Sequence, residues 1–229
     1  MAVFISFEGI EGTGKTTQIA RVAEELAARG VRFVKTREPG GCPIADQIRA
    51  IVLDARNKEM DKRTELLLYL AARAQHVAEV VRPALMRGEV VLCDRFTDAT
   101  EAYQGAGRGH DPEFIHFVTD KTTEGLRPDL TILLDLPVEV GLRRARGRAA
   151  QIADVGDKED RFERESLNFH QKVRDGYLAI AEREPTRVRV VDADGEPDEV
   201  FSRLMPLIDD IIDREVTAPG GEVAMESTE

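Results

Sequence analysis

Val3-Phe4-Ile5-Ser6-Phe7, running into Glu8-Gly9-Ile10-Glu11-Gly12-Thr13-Gly14-Lys15-Thr16-Thr17, decides the fold of this chain. The first five residues are an apolar, strand-forming run of the kind that is buried on both faces. From Gly9 the sequence fits G-x-x-x-x-G-K-[ST], in which glycines let successive backbone N–H groups turn inward onto phosphates. In that pattern Lys15 reaches the β- and γ-phosphates and the Thr16 hydroxyl sits on Mg²⁺. Ile19, Val22, Ala23 and Leu26 then recur at helical spacing, so the loop opens a helix whose N-terminus favours anions. A bare pattern also arises by chance. A strand before it and a helix behind it argue for a nucleoside triphosphate site over residues Gly9 to Thr17.

The rest of the chain bounds that reading. A length of 229 residues suits one globular domain with a substantial core. No run approaches the roughly 18 apolar residues of a membrane span. Met1-Ala2 leads straight into the first strand, which leaves no room for a signal peptide, so a cytoplasmic protein is expected. Cys42 and Cys93 then default to free thiols, and the four histidines (His76, His110, His116, His170) show no ligand spacing that would suggest zinc. A formal net charge of −11 argues against a broad nucleic-acid surface. Binding a small polyanion would require arginines gathered locally.

Outward from the loop, Val31 to Thr36 reads as a second strand, with the turn-rich Arg37-Glu38-Pro39-Gly40-Gly41 at its C-terminal end. Ligands of open parallel α/β sheets bind at that edge, although Arg37 and Glu38 alone read as a solvated pair. Pro43 suits the start of a helix to about Asp54. A longer helix is expected from Asp61 to Arg82, kinked or ended by Pro83. Its Leu66-to-Ala72 stretch is apolar nearly all round, which demands burial on more than one side, within the fold or against another subunit. Tyr69 and Arg73 share one face. They read as a core tyrosine with a snorkelling arginine, or as a ring and a guanidinium placed for a planar base.

Val90-Val91-Leu92-Cys93-Asp94 is a third buried strand. Asp94 at its end is placed to hold Mg²⁺, directly or through water, and Arg95 to clamp a phosphate. Tyr103 to Gly109 is glycine-rich and expected to be irregular. Within it Gln104 suits either a base edge or simple loop bonding. Asp111 to Gly125 reads as a surface helix, Leu130 to Leu136 as a fourth strand, and Pro137 as the start of a helix carrying Arg143, Arg144, Arg146 and Arg148. That run reads as a solvated basic face or as a phosphate-closing lid beside a mobile stretch from Ala149 to Asp157. A helix from about Arg161 to Arg183, a fifth strand at Val188 to Val191, and an amphipathic helix from Pro197 to Arg214 complete the pattern. Residues 217–229 are small, polar and acidic, and disorder is expected there.

Together these motifs resemble the thymidylate kinase family in its bacterial form, over about residues 3 to 212. F-E-G-I-E-G-T-G-K-T-T at 7–17, R-E-P-G-G at 37–41, E-L-L-L-Y-L-A-A-R at 65–73 and D-R-F at 94–96 carry the resemblance. A-Y-Q-G-A-G-R-G at 102–109, P-D-L-T-I-L-L-D-L at 128–136 and G-L-R-R-A-R-G-R at 141–148 continue it in order. The resemblance implies a P-loop NTPase-type α/β fold with a five-stranded parallel sheet, helices on both faces, and a lid at about 147–160. It implies one domain over residues 1–216, a homodimer, and Mg²⁺-dependent transfer of the γ-phosphoryl of ATP to thymidine monophosphate (dTMP).

Carried over residue by residue, Tyr69 takes the place of the aromatic that stacks on thymine, and Arg73 bonds the base carbonyl and reaches the phosphate region. Thr100 and Gln104 line the base pocket, Arg37 and Arg95 hold the acceptor phosphate, and Glu11 faces the 3′-hydroxyl. Gly12 stands where one family subtype has a basic residue. The resemblance therefore shifts the catalytic arginine to the lid, with Arg148 the first choice and Arg144 an adenine-side contact. Tyr69 and Phe96 depart from the usual phenylalanine and the usual tyrosine or histidine. The rival readings are a kinase for another nucleoside monophosphate and a GTP-binding switch. The nearest string to N-K-x-D, Asn57-Lys58-Glu59-Met60, lacks the aspartate such a switch uses.

Overall fold

A computed structural model describes residues 2–151, 161–162 and 165–217. Among them, five strands pair in parallel in the order β2-β3-β1-β4-β5: β1 Val3–Glu8, β2 Phe33–Arg37, β3 Val90–Asp94, β4 Leu130–Asp135 and β5 Val188–Asp192. Parallel pairing places all five C-terminal ends on one edge of the sheet, and Phe7 lies in register with Asp94. β1 is central and buried at every position. Its period-2 alternation divides the core. Val3, Ile5 and Phe7 pack with Ile19, Val22 and Leu26 of α1 (Lys15–Ala28) and with Leu204 and Ile208 of α9 (Pro197–Thr217). Phe4, Ser6 and Glu8 face the other way. Phe4 meets Phe96 edge-on at 4.8 Å, and the Ser6 hydroxyl pairs with that of Thr131 at 2.9 Å.

α2 (Pro43–Val52) and α3 (Lys62–His76) pack against one another beyond β2 and β3. Of the two outcomes expected at Pro83, a kink or an end, the helix does not end there. The helix passes through a widened π turn, Val77–Val81, into α4 (Arg82–Met86). Widening the turn re-routes the backbone bond that a proline in the next turn cannot donate, so helical backbone continues through Pro83.

The segment after β3 also differs from the irregular loop expected. It is α5 (Thr97–Thr100) followed by a π-helical stretch, Glu101–Gly107. Its glycine serves close packing: a Cβ on Gly107 would press into Phe169 and Val173 of α8 (Leu167–Arg183), as one on Gly176 would into Ala106.

α6 (Pro112–Thr123) is capped by the Asp111 carboxylate, which accepts from the Phe114 N–H. α7 (Val138–Gln151) continues through Ala149 and Ala150, where a loop was expected; residues 152–160 of the expected lid lie outside the described residues. α8 starts at Leu167 rather than Arg161 because the Ser166 hydroxyl caps it, accepting from the Phe169 N–H at 3.2 Å. Arg161 and Phe162 lie in a turn ahead of it. β2 begins two residues later than expected, at Phe33, and α9 runs on to Thr217. Residues 218–229 of the expected tail lie outside the described residues.

Candidate active site

The phosphate loop occupies the turn from β1 into α1. Gly9 (φ 132°) and Gly12 (φ 78°) take conformations that side chains resist, and a Cβ on either would overlap a backbone carbonyl oxygen, of Leu134 and Gly141 respectively. Lys15 folds back on its own loop: Nζ donates to the carbonyls of Gly9 (3.0 Å) and Ile10 (2.9 Å). Burial, reinforced by the charge of Arg95, lowers its pKa to about 8. An arriving phosphate would replace those two carbonyls as the acceptor of this ammonium. The Thr16 hydroxyl donates to Asp94 Oδ2 at 3.3 Å, so two hard oxygen donors converge beside the loop, as Mg²⁺ requires.

Arg95 follows Asp94 in a left-handed turn, φ 71°. Its Nη1 donates to the Gly9 carbonyl and to the Tyr177 hydroxyl, both at 3.0 Å, and Nη2 donates to Glu11 Oε1 at 3.2 Å. Of the five N–H donors of a guanidinium, these bonds leave Nε–H and the second Nη2–H without an acceptor among the described residues. Glu11 also accepts from the Tyr103 hydroxyl at 2.6 Å. Burial would raise the Glu11 pKa, but the His170 ring, Arg95 and Lys15 together hold it at about 2. His170 Nδ1 lies 3.2 Å from Glu11 Oε2, outside the alignment of a well-formed hydrogen bond.

Two recesses meet at this cluster. One, open to solvent, runs along Gly12, Gly14, Lys15, Thr16, Lys35, Arg37 and Asp94. The other lies between Tyr69, Leu53, Phe162, Thr100, Gln104 and Arg73. Glu11, Glu38, Arg49 and Arg95 line both. The second recess is flat-walled and aromatic. Tyr69 and Phe162 stand edge-to-face at 6.3 Å, as do Tyr103 and Phe162 at 5.5 Å.

Its polar floor is built from buried groups that hold one another. Arg73 donates through Nε to Glu38 Oε2 (2.6 Å), through Nη1 to Thr100 Oγ1 (2.8 Å) and through Nη2 to the Phe96 carbonyl (2.8 Å). His76 Nδ1 lies 2.9 Å from the other Glu38 oxygen. Gln104 donates to Glu65 at 2.9 Å and lines the recess. Glu65 also takes Arg108 and Arg161.

The sequence-predicted residues thus fall into two groups. Glu11, Gly12, Gly14, Lys15, Thr16, Arg37, Asp94 and Arg95 line the open recess, and Glu11, Tyr69, Arg73, Arg95, Thr100 and Gln104 the enclosed one; Gly9, Ile10, Thr13 and Thr17 line neither. Arg37 donates to Asp46 at 3.0 Å on the exposed rim. Arg144 stands apart, donating to the Ala193 carbonyl and to Asp194 Oδ1, both at 3.0 Å, beyond β5. The side chain of Arg148 lies outside the described residues.

Sequence reasoning missed Glu8, Glu38, Tyr103, His170 and Tyr177 as site residues. Only Glu8 left a local signal: a carboxylate one residue past the apolar run, on the strand face of Phe4 and Ser6.

Comparison with known proteins adds four findings. A family model described as thymidylate kinase matches residues 7–204. A protein named thymidylate kinase from Geotalea uraniireducens (strain Rf4) is 62% identical over 192 residues, covering 84% of this chain and 89% of that protein. One from Geotalea daltonii (strain DSM 22248 / JCM 15807 / FRC-32) is 60% identical over 199 residues, covering 87% and 92%. A crystal structure of thymidylate kinase from Ehrlichia chaffeensis superposes with a TM-score of 0.73 at 32% identity, covering 90% of this chain and 98% of that one.

Proposed function

The chain belongs to the thymidylate kinase family, and from that premise we propose that its open recess takes Mg-ATP and its enclosed recess takes dTMP. The protein transfers the γ-phosphoryl group of ATP to dTMP, giving dTDP and ADP in nucleotide biosynthesis. The observation that carries the site assignment is the junction: Glu11, Glu38, Arg49 and Arg95 line both recesses, so two phosphates approaching from opposite sides meet there.

The acceptor is a phosphate monoester whose second pKa is about 6, so at pH 7 its oxygen is already a nucleophile and no general base is needed. Catalysis is then positioning and charge neutralisation. Backbone N–H groups from Gly9 to Thr17 cradle the donor phosphates. Lys15 leaves the Gly9 and Ile10 carbonyls for the β- and γ-phosphates. Arg95, with two donors still open, takes the acceptor phosphate, helped from the rim by Arg37. Tyr69 stacks on the base, Arg73, Thr100 and Gln104 hold its edge, and Glu11 receives the 3′-hydroxyl. Thr16 and Asp94 fit Mg²⁺, which when bound neutralises charge on the transferring phosphate. Arg148 supplies the lid arginine and Arg144 an adenine-side contact, readings supported by the arginine run on α7.

A homodimer is part of this proposal. A groove between α3 and α6 is lined by Leu67, Leu70, Ala71, Ala74, Phe117 and Val118, with Leu67 and Phe117 each 60% exposed, and a symmetric partner would cover it. We place the enzyme in the cytoplasm, the compartment that keeps thiols such as the buried Cys42 and Cys93 reduced. The described residues contain no helix long and apolar enough to cross a membrane. The net charge of −11 favours no nucleic-acid partner.

The deciding experiment follows ADP formation from Mg-ATP with thymidine, uridine, cytidine, adenosine and guanosine monophosphates as acceptors. Preference for dTMP is expected, and a preference for any other acceptor overturns the recess assignment. Sedimentation of the purified protein tests the dimer. Leu67→Glu is expected to shift it to monomer, and an unchanged wild-type monomer sinks that part.

A further inference from the structure

Glu8 is the last residue of β1 and is fully buried. Both of its oxygens are engaged, and both lead to Arg95. Oε1 accepts from the backbone N–H of Phe96, the residue after Arg95, at 2.6 Å. Oε2 pairs with the Tyr177 hydroxyl at 2.7 Å, and that hydroxyl accepts from Arg95 Nη1 at 3.0 Å. One carboxyl group therefore grips Arg95 from two ends, its following peptide and, through one phenol, its guanidinium. Arg95 needs such a grip. Its φ of 71° is a conformation side chains resist, stable only where surrounding structure over-determines it.

We propose that Tyr177, seated on Glu8, is a positioning residue that aims the free edge of the Arg95 guanidinium at the acceptor phosphate. The inference rests on the reading that Arg95 holds that phosphate. The fold supplies the rigidity. Tyr177 is 2% exposed and stands edge-to-face with Tyr103 at 6.2 Å, while Tyr103 donates to Glu11, the second anchor of Arg95. With Nη1 spent on Gly9 and Tyr177 and one Nη2–H on Glu11, the donors that remain for phosphate oxygens are Nε–H and one Nη2–H. Without the phenol oxygen, Nη1 keeps only the Gly9 carbonyl. The side chain then gains rotational freedom, which an incoming phosphate must remove at a cost in affinity.

The test compares binding of dTMP with binding of thymidine, which lacks the phosphate, in full-length Tyr177→Phe, Glu8→Ala, Arg95→Ala and wild-type protein. Tyr177→Phe keeps the ring and its packing and removes one hydroxyl. It is expected to weaken dTMP binding about tenfold, the scale of one hydrogen bond to a charged group, with thymidine binding unchanged. Glu8→Ala is expected to lose at least as much, and adding Tyr177→Phe to Arg95→Ala is expected to cost nothing further. Wild-type dTMP affinity in Tyr177→Phe overturns the proposal, as does a parallel loss for thymidine, which would mark a merely structural role. Should Glu8→Ala not fold, Tyr177→Phe alone decides. If Arg95→Ala keeps the full preference for dTMP over thymidine, the underlying assignment of Arg95 is what fails. If Arg95→Ala loses that preference and Tyr177→Phe keeps it, only the positioning role fails.

Discussion

The hydroxyl of Thr16 and the carboxylate of Asp94 meet at 3.3 Å although 78 positions separate them in the chain. Parallel pairing of β1 with β3 makes the contact, because it sets Asp94 beside Phe7 at the edge from which the phosphate loop springs. Two hard oxygen ligands so placed share one cation. Thr16→Ala and Asp94→Asn are each expected to raise the Mg²⁺ concentration for half-maximal turnover, by roughly 10–100-fold on the scale of lost metal-site interactions. A Mg²⁺ titration at fixed ATP that superposes on wild type would remove the residue concerned from the metal site.

Lys15 has no partner in the ligand-free loop that a substrate phosphate cannot replace. Lys15→Ala is expected to lower kcat by about 10³ or more, as losses of charge stabilising a transferring phosphoryl group do. Following ADP release in a coupled assay checks this. Thermal stability should change little, since the ammonium it removes is buried against only two carbonyls and the Thr13 hydroxyl.

No hydrogen bond among the described residues engages the Tyr69 hydroxyl, whereas its ring forms one wall of the enclosed recess. Tyr69→Phe should therefore leave the KM for dTMP within about threefold, while Tyr69→Ala should raise it roughly 10–100-fold, the value of one base stacked on one aromatic ring. Equal effects of the two substitutions would place the weight on the hydroxyl and contradict the stacking role.

Burial, reinforced by the negative charge of Asp98, raises the Glu8 pKa from 4.5 to about 8. The folded protein thus holds a proton there that the unfolded chain releases near 4.5. The associated stability is fully present below pH 4.5 and is lost as pH rises through 8. The melting temperature of wild type is expected to fall between pH 6 and pH 9, and Glu8→Gln, which cannot ionise, should flatten that fall. Glu11 has the opposite sign. Its pKa of about 2 means its contribution is present above 4.5 and is lost on acidification through 2. A Glu8→Gln profile parallel to wild type from pH 6 to 9 would show that Glu8 is ionised throughout.

The strands and the loop were legible because both are local. Val3 to Phe7, Val90 to Asp94 and Leu130 to Leu136 are continuous apolar runs, and a parallel sheet buried on both faces asks for nothing more. The misread segments fail for a common reason. Gly105 and Gly107 look like turn residues, yet Gly107 lies in a helix pressed against Phe169 and Val173. Pro83 looks like a stop, yet the π turn before it lets the helix run on. At Gly107 a local propensity was overridden by packing against a distant element, and at Pro83 by a change of helical turn just before it.

The sequence by itself determined that a phosphate loop joins a buried strand to a helix, and that Asp94-Arg95 ends a neighbouring strand. It also determined that Tyr69 and Arg73 share one helix face. Each follows from spacing within a dozen residues. Only the tertiary structure decided who holds Arg95. Tyr177 lies 82 positions from Arg95 and 169 from Glu8, and the three meet because α8 packs on the helical segment that follows β3. It likewise explains why Gly12 carries no side chain, since the Gly141 carbonyl fills the space a Cβ would need. Periodicity reports which face of an element is buried; it is silent on what the element is buried against, and the grip on Arg95 is a contact of that second kind.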